Sequence, residues 1–90
     1  MNNDLERRIH SRKEYGPKER PRLKVGKIEF EVVDISERGI KFINNKKINM
    51  EGWISGTLIF LDNRSIEIDA IVVRKRDDEI GLHLVGPIDL

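Results

Sequence analysis

The sequence lacks cysteine and long apolar runs, and each absence removes a class of protein. Without cysteine, no disulfide holds the fold together and no thiolate is available as a nucleophile or metal ligand. No apolar stretch approaches the roughly 20 residues that a membrane-spanning helix needs. The N-terminus, Met1 to Asp4, also lacks the basic-then-apolar pattern of a secretory signal. We therefore expect a soluble protein that stays in the cytoplasm.

Histidine is scarce, which weighs against metal binding and catalysis. His10 and His83 are the only histidines, and their spacing is not that of a metal site. Ser36 follows Asp34 by two residues, but neither histidine lies in a pattern that would supply Ser36 with a base. The sequence therefore predicts no metal, no cofactor and no enzymatic activity.

The charged residues, 37% of the chain, are unevenly distributed along its 90 residues. Residues 1–27 hold nine Lys or Arg against four acids, a net charge of +5, and residues 28–90 hold eight against twelve, a net charge of −4. A chain this short forms one domain with a thin core. The basic N-terminal segment therefore needs an explanation of its own.

The segment 1–22 has few apolar residues and no sustained helical or strand period. Gly16, Pro17 and Pro21 also interrupt regular structure there. A charged terminus of this kind is ordinarily solvated and mobile. We therefore predict a flexible basic arm without regular structure over residues 1–22.

Residues 23–90 show short alternating runs separated by polar turns, which is typical of β-strands. From Ile66 to Val73, one face is apolar throughout, and the other changes from Glu67 and Asp69 to Ile71 and Val73. Five or six such runs, with no helical stretch, predict a small six-stranded antiparallel β-barrel, since closure removes exposed sheet edges. We expect the large aromatic residues to pack in its core, namely Trp53, Phe30, Phe42 and Phe60.

Two short motifs stand out against this background. Asp34-x-Ser36-x-x-Gly39 lies between two predicted strands, where Asp and Ser bond nearby backbone amides and Gly39 permits a positive φ. Alone, this pattern is typical of a well-made turn. Arg8-x-x-x-Arg12 lies in the arm, and two planar guanidinium groups at this spacing suit phosphate oxygens or the O6 and N7 edge of guanine.

Together, in this order and with this spacing, the two motifs resemble the PilZ domain family. The likeness extends from Glu6-Arg7-Arg8 to Ile80-Gly81-Leu82-His83-Leu84, which is similar to the family's closing strand. The resemblance implies a six-stranded β-barrel that binds the bacterial second messenger cyclic di-GMP, often as an intercalated dimer of the nucleotide.

The resemblance also implies a role for each motif residue. Arg8 and Arg12 are expected to contact phosphates and the Hoogsteen edge of guanine, with Arg7 as a supporting phosphate contact. Asp34 is expected to accept hydrogen bonds from guanine N1 and N2. Ser36 is expected to bond the ligand or to hold the loop. Gly39 is expected to leave room for the ligand. The expected function is a cyclic di-GMP receptor or adaptor whose arm clamps the nucleotide and thereby changes a surface that a protein partner binds.

Other functions stay open at this point. The +5 arm beside a barrel also fits a small nucleic-acid-binding protein, although the acidic barrel and the expected lack of exposed aromatic platforms weigh against it. An adaptor that recognises only protein is a third possibility, and an enzyme is the last.

Overall fold

Residues 13–86 are described by the structure, a computed structural model, and they form seven β-strands. Each strand pairs with its neighbours in the antiparallel sense. The strands are β1 (Lys13–Glu14), β2 (Arg22–Val25), β3 (Ile28–Ile35), β4 (Gly39–Ile43), β5 (Trp53–Ile59), β6 (Ser65–Arg76) and β7 (Glu79–Leu84).

Six of these strands close into a barrel. Their order is β3-β2-β5-β6-β7-β4, and β4 pairs back to β3. The predicted fold, a six-stranded antiparallel β-barrel, is confirmed. Within residues 13–86, no helix is long and apolar enough to cross a membrane.

The short strand β1 lies outside the barrel and extends one edge of β3. Lys13 is opposite Ile35 and Glu14 is opposite Asp34, and the Tyr15 amide donates to the carbonyl of Val33 at 2.9 Å. The later part of the segment 1–22 therefore pairs with and packs on the barrel. The division of the chain into arm and barrel at residue 22 stays a prediction.

The core follows from the alternation of apolar residues. On β6, Ile68 and Ala70 are buried, whereas Glu67 and Asp69 are exposed. The buried apolar residues of the other strands face them across a narrow interior. They are Leu23, Phe30, Val32, Ile35, Ile40, Phe42, Ile54, Leu58, Ile80, Leu82 and Leu84, with Met50 from the β4–β5 connection.

The aromatic residues do not all behave as expected. Phe30 and Phe42 are buried with ring centroids 5.0 Å apart, and Phe60 packs partly against the core. Trp53, however, is 67% exposed, so its predicted core position is wrong. The physical reason is its register, because Trp53 is two residues from Ser55 and shares the outward face of β5 with it.

Two β-bulges interrupt the otherwise regular register. One lies between Val32 and Asp34 on β3, and the other lies between Val72 and Arg74 on β6. Each bulge leaves one residue unpaired and re-aims the side chains that follow it. Asp34 and Arg74 come directly after the two bulges.

Candidate functional site

Four neighbouring strands place one residue each in a row on the outside of the barrel. Asp34 is opposite Lys41, Lys41 is opposite Gly81, and Gly81 is opposite Arg74. All four alternate with residues of the core, so they share the outer face. The row therefore consists, in order, of a carboxylate, an ammonium group, a glycine and a guanidinium group.

A cavity of about 370 Å³ lies over this row. It is lined by the three predicted site residues that the structure describes, Asp34, Ser36 and Gly39, and strand pairing has brought Lys41, Gly81 and Arg74 beside them. The complete lining is Asp34, Ser36, Gly39, Ile40, Lys41, Val73, Arg74, Gly81 and Leu82.

Gly81 forms the floor of the cavity between its two cations. A Cβ added at Gly81 would lie 3.3 Å from the Cβ of Arg74, which is closer than most side chains tolerate. The absence of a side chain therefore leaves a trough between Lys41 and Arg74.

The loop from Ser36 to Arg38 is tight, and its first residue, Ser36, lines the cavity. The Ser36 amide donates to the Gly39 carbonyl at 2.8 Å, and the Ser36 hydroxyl lies 3.5 Å from the same oxygen. At the end of β3, Asp34 is buried with 9% exposure. The motif therefore has the turn structure that its residue types predict.

Gly39 is required for space rather than for its backbone angles. Among the described glycines, a positive φ occurs at Gly26 and Gly52, so Gly39 does not use the positive φ that glycine permits. A Cβ at Gly39 would lie 3.3 Å from Ser36 Oγ and 3.4 Å from the Leu82 carbonyl oxygen. A larger residue would therefore push on the loop and on β7.

The three arginines of the predicted site, Arg7, Arg8 and Arg12, lie outside the described residues. Their contacts to a ligand stay predictions. In the sequence, the first described residue after them is Lys13. It is opposite Ile35, one residue before Ser36.

The cavity includes cations that reasoning from the sequence missed. The Nζ of Lys41 lies 3.9 Å from Oε1 of Glu79. Arg74 is exposed and makes no ion pair with any carboxylate in residues 13–86. Two cations beside a partly buried carboxylate suit a ligand with anionic oxygens and hydrogen-bond donors. A glycine inside a predicted strand, as in Glu79-Ile80-Gly81, was the available signal for this trough.

The fold and this cavity define a small antiparallel β-barrel with a polar cavity on its outer surface. The family model for the PilZ domain matches residues 6–90, nearly the whole chain. The chain belongs to the PilZ domain family, a known family of cyclic di-GMP receptors. Domains of this family are binding domains and generally not enzymes.

A solved structure supports the fold independently. The chain is similar to the crystal structure of the uncharacterized Legionella protein Lpg0364, with a TM-score of 0.62 and 24% sequence identity. The match covers 83% of this chain and 76% of the Legionella chain. At this identity the likeness shows the shared fold alone. No curated protein matches the chain.

Proposed function

We propose that this chain is a cyclic di-GMP receptor that binds the nucleotide in the cavity between the Asp34–Gly39 loop and the row of Lys41, Gly81 and Arg74. The observation that carries the proposal is the convergence of Asp34, Ser36 and Gly39 with two cations around one cavity, in a chain of the PilZ family.

The chemistry of the cavity matches that of the nucleotide. Guanine N1 and N2 are donors only, so a carboxylate such as Asp34 is a suitable acceptor for both. Lys41 and Arg74 are cations on the two sides of the trough, where phosphate oxygens need positive charge. Ser36 and Gly39 keep the loop compact beside the base.

The direction of β1 supports the participation of the arm. Because β1 runs antiparallel to β3, with Glu14 opposite Asp34 and Lys13 opposite Ile35, the chain enters β1 from the side of Ser36. We therefore place Arg12, with Arg8 and Arg7 before it, over the nucleotide in the bound state. Closure of this arm changes the shape and charge of the surface that a protein partner binds, with no chemical reaction.

Calorimetric titration with cyclic di-GMP tests the proposal. We expect saturable binding by the wild type and an affinity about tenfold lower for each of Asp34→Ala, Lys41→Ala and Arg74→Ala, about 1.4 kcal/mol for each lost charged contact. Lys27→Ala is the matched control, because it removes an exposed cation from the turn between β2 and β3, far from this row.

A second titration with cyclic di-AMP tests the role of Asp34. Adenine has no donor at N1, so the wild type should prefer the guanine nucleotide, and Asp34→Ala should lose most of this preference. No heat with folded protein at about tens of micromolar overturns the proposal. Binding of oligonucleotides with a steep salt dependence that is unaffected by Arg8→Ala with Asp34→Ala would instead support a nucleic-acid-binding protein.

A further inference from the structure

The outward face of β6 carries an ordered sequence of charge. Following the chain, its outward residues are two acids, two apolar residues and two bases, and all but the half-buried Ile71 are exposed. Of the residues between them, Ile68, Ala70 and Val72 pack in the core, and Lys75 is exposed and forms an ion pair with Glu51. The outward residues are Glu67, Asp69, Ile71, Val73, Arg74 and Arg76.

The apolar centre of this face extends onto the neighbouring strands. Trp53 on β5 is opposite Ile71, and it is 67% exposed. Val73 is 64% exposed, and Val85, whose amide donates to the Asp69 carbonyl, is 49% exposed. Of the four large apolar side chains that are exposed in residues 13–86, three therefore lie on this face. Such a grouping is typical of an interaction surface.

The charges on either side of this centre are largely available for a partner. Glu67, Arg74 and Arg76 form no ion pair within residues 13–86. Asp69 accepts a hydrogen bond from the Ser55 hydroxyl at 2.6 Å and keeps further acceptor capacity.

We propose that this face, defined by Trp53 and the outward residues of β6, binds a second copy of the chain in a two-fold symmetric dimer. When one copy is rotated by a half-turn about an axis at Ile71, its acidic end lies over the basic end of the other copy. Its apolar centre then lies over the apolar centre of the other copy. Glu67 then faces Arg76 of the partner subunit, and Asp69 faces Arg74 of the partner subunit.

The symmetry selects a second copy over a different partner. A two-fold interface uses the same patch on both subunits, so every contact occurs twice. The two apolar centres cover each other, including both Trp53 side chains, and each basic half meets an acidic half. Dimerisation needs no bound nucleotide, because every residue of the face lies in the described part of the chain, although Val73 and Arg74 also line the cavity.

A charge-swap experiment by sedimentation equilibrium tests the dimer. We expect the average mass of the wild type to rise towards twice the monomer mass as its concentration increases. Glu67→Lys and Arg76→Glu should each be monomeric, since like charges then meet twice in the dimer. An equimolar mixture of the two variants should form dimers again, because Lys at position 67 meets Glu at position 76 and the reverse pair is unchanged.

Two further variants complete the design. Trp53→Ser should be monomeric, and Lys18→Glu, a charge reversal at an exposed position outside this face, should dimerise like the wild type. Trp53 is the only tryptophan, so its fluorescence should shift to shorter wavelength on dimerisation. The circular dichroism of each variant confirms that it is folded.

Three results would overturn the proposal. They are a wild type that is monomeric up to about millimolar concentration, a dimer that persists in Trp53→Ser and both charge reversals, and a mixture of the reversals that fails to dimerise although each variant is folded.

Discussion

Gly81 lies opposite Arg74 across the β6–β7 pair, and the two residues approach closely, since a Cβ at Gly81 would lie 3.3 Å from the Arg74 Cβ. Gly81→Val would fill the trough and displace the guanidinium group. We predict that this substitution weakens cyclic di-GMP binding at least about tenfold, measured by calorimetry, because the floor of the cavity is lost.

The control for this substitution is Gly86→Val. A Cβ added at Gly86 has no atom within 4 Å, and the position lies outside the cavity lining. The Gly86→Val variant should bind the nucleotide with the same affinity as the wild type. Equal affinities for Gly81→Val and the wild type would show that the nucleotide does not occupy the trough.

Arg12→Ala tests the arm. We predict a loss of cyclic di-GMP affinity of about tenfold or more, with an unchanged midpoint of thermal unfolding in the absence of ligand. The reason is that the fully buried core of the described residues begins at Pro21 and Leu23, and Tyr15, which packs partly against it, comes after Arg12 in the chain. Lys18→Ala removes a charge from the segment between the arginines and β2 and should leave both quantities unchanged. A large loss of thermal stability in ligand-free Arg12→Ala contradicts the prediction.

The fold could be predicted because local patterns determine most of it. The alternation from Ile66 to Val72 fixes the inward face of β6, and turn residues fix the hairpins. Asn63 and Asp77 have positive φ angles of 73° and 54° in two of the polar turns between strands, where such residues tolerate this conformation. The motif Asp34 to Gly39 was likewise recognisable, because the residues that determine its turn structure all lie within six positions.

The part of the candidate site that could not be predicted depends on pairing between distant strands. Lys41, Gly81 and Arg74 become neighbours only through the register of β4, β7 and β6, and the bulge at Val73 shifts that register by one residue. No local pattern specifies where a bulge falls. Trp53 shows a related limit, since the size of an aromatic side chain predicted burial while its outward position on β5 determined exposure.

Gly56 is required by the close approach of β2 and β5. A Cβ at Gly56 would lie 2.7 Å from the Lys24 carbonyl oxygen and 3.2 Å from Val25 Cγ2. We predict that Gly56→Ala lowers the free energy of unfolding by about 1–3 kcal/mol, because the backbone of one strand must move. Urea denaturation measures this loss. Gly16→Ala, where a Cβ meets nothing within 4 Å, is the control, and equal stability of the two variants would refute the prediction.

Tyr15 should make stability depend on pH in the alkaline range. Burial raises the pKa of Tyr15 above its ordinary 10.0, and the Arg64 guanidinium opposes this shift. The protonated phenol is therefore favoured in the folded state. Its contribution to stability is complete below pH 10.0 and is lost as the pH rises through the folded-state pKa.

The phenol can be observed directly, because Tyr15 is the only tyrosine. We predict that its ultraviolet absorbance reports ionisation above pH 10.0 and that Arg64→Ala raises the pKa further. Tyr15→Phe should lose less stability than the wild type over the same pH range, which separates this effect from the titration of lysines. Ionisation at or below the ordinary value would contradict the prediction.

Arg74 belongs to both the proposed nucleotide cavity and the proposed dimer face, so the two binding events should oppose each other. A phosphate that engages Arg74 removes its pairing with Asp69 of the partner subunit. We predict that saturating cyclic di-GMP lowers the average mass of the wild type in sedimentation, and that nucleotide affinity falls as protein concentration rises, since such coupling is reciprocal. The monomeric variant Trp53→Ser should bind the nucleotide with an affinity that is independent of protein concentration. A dimer fraction that nucleotide leaves unchanged would mean that the two sites do not share Arg74, even if each exists.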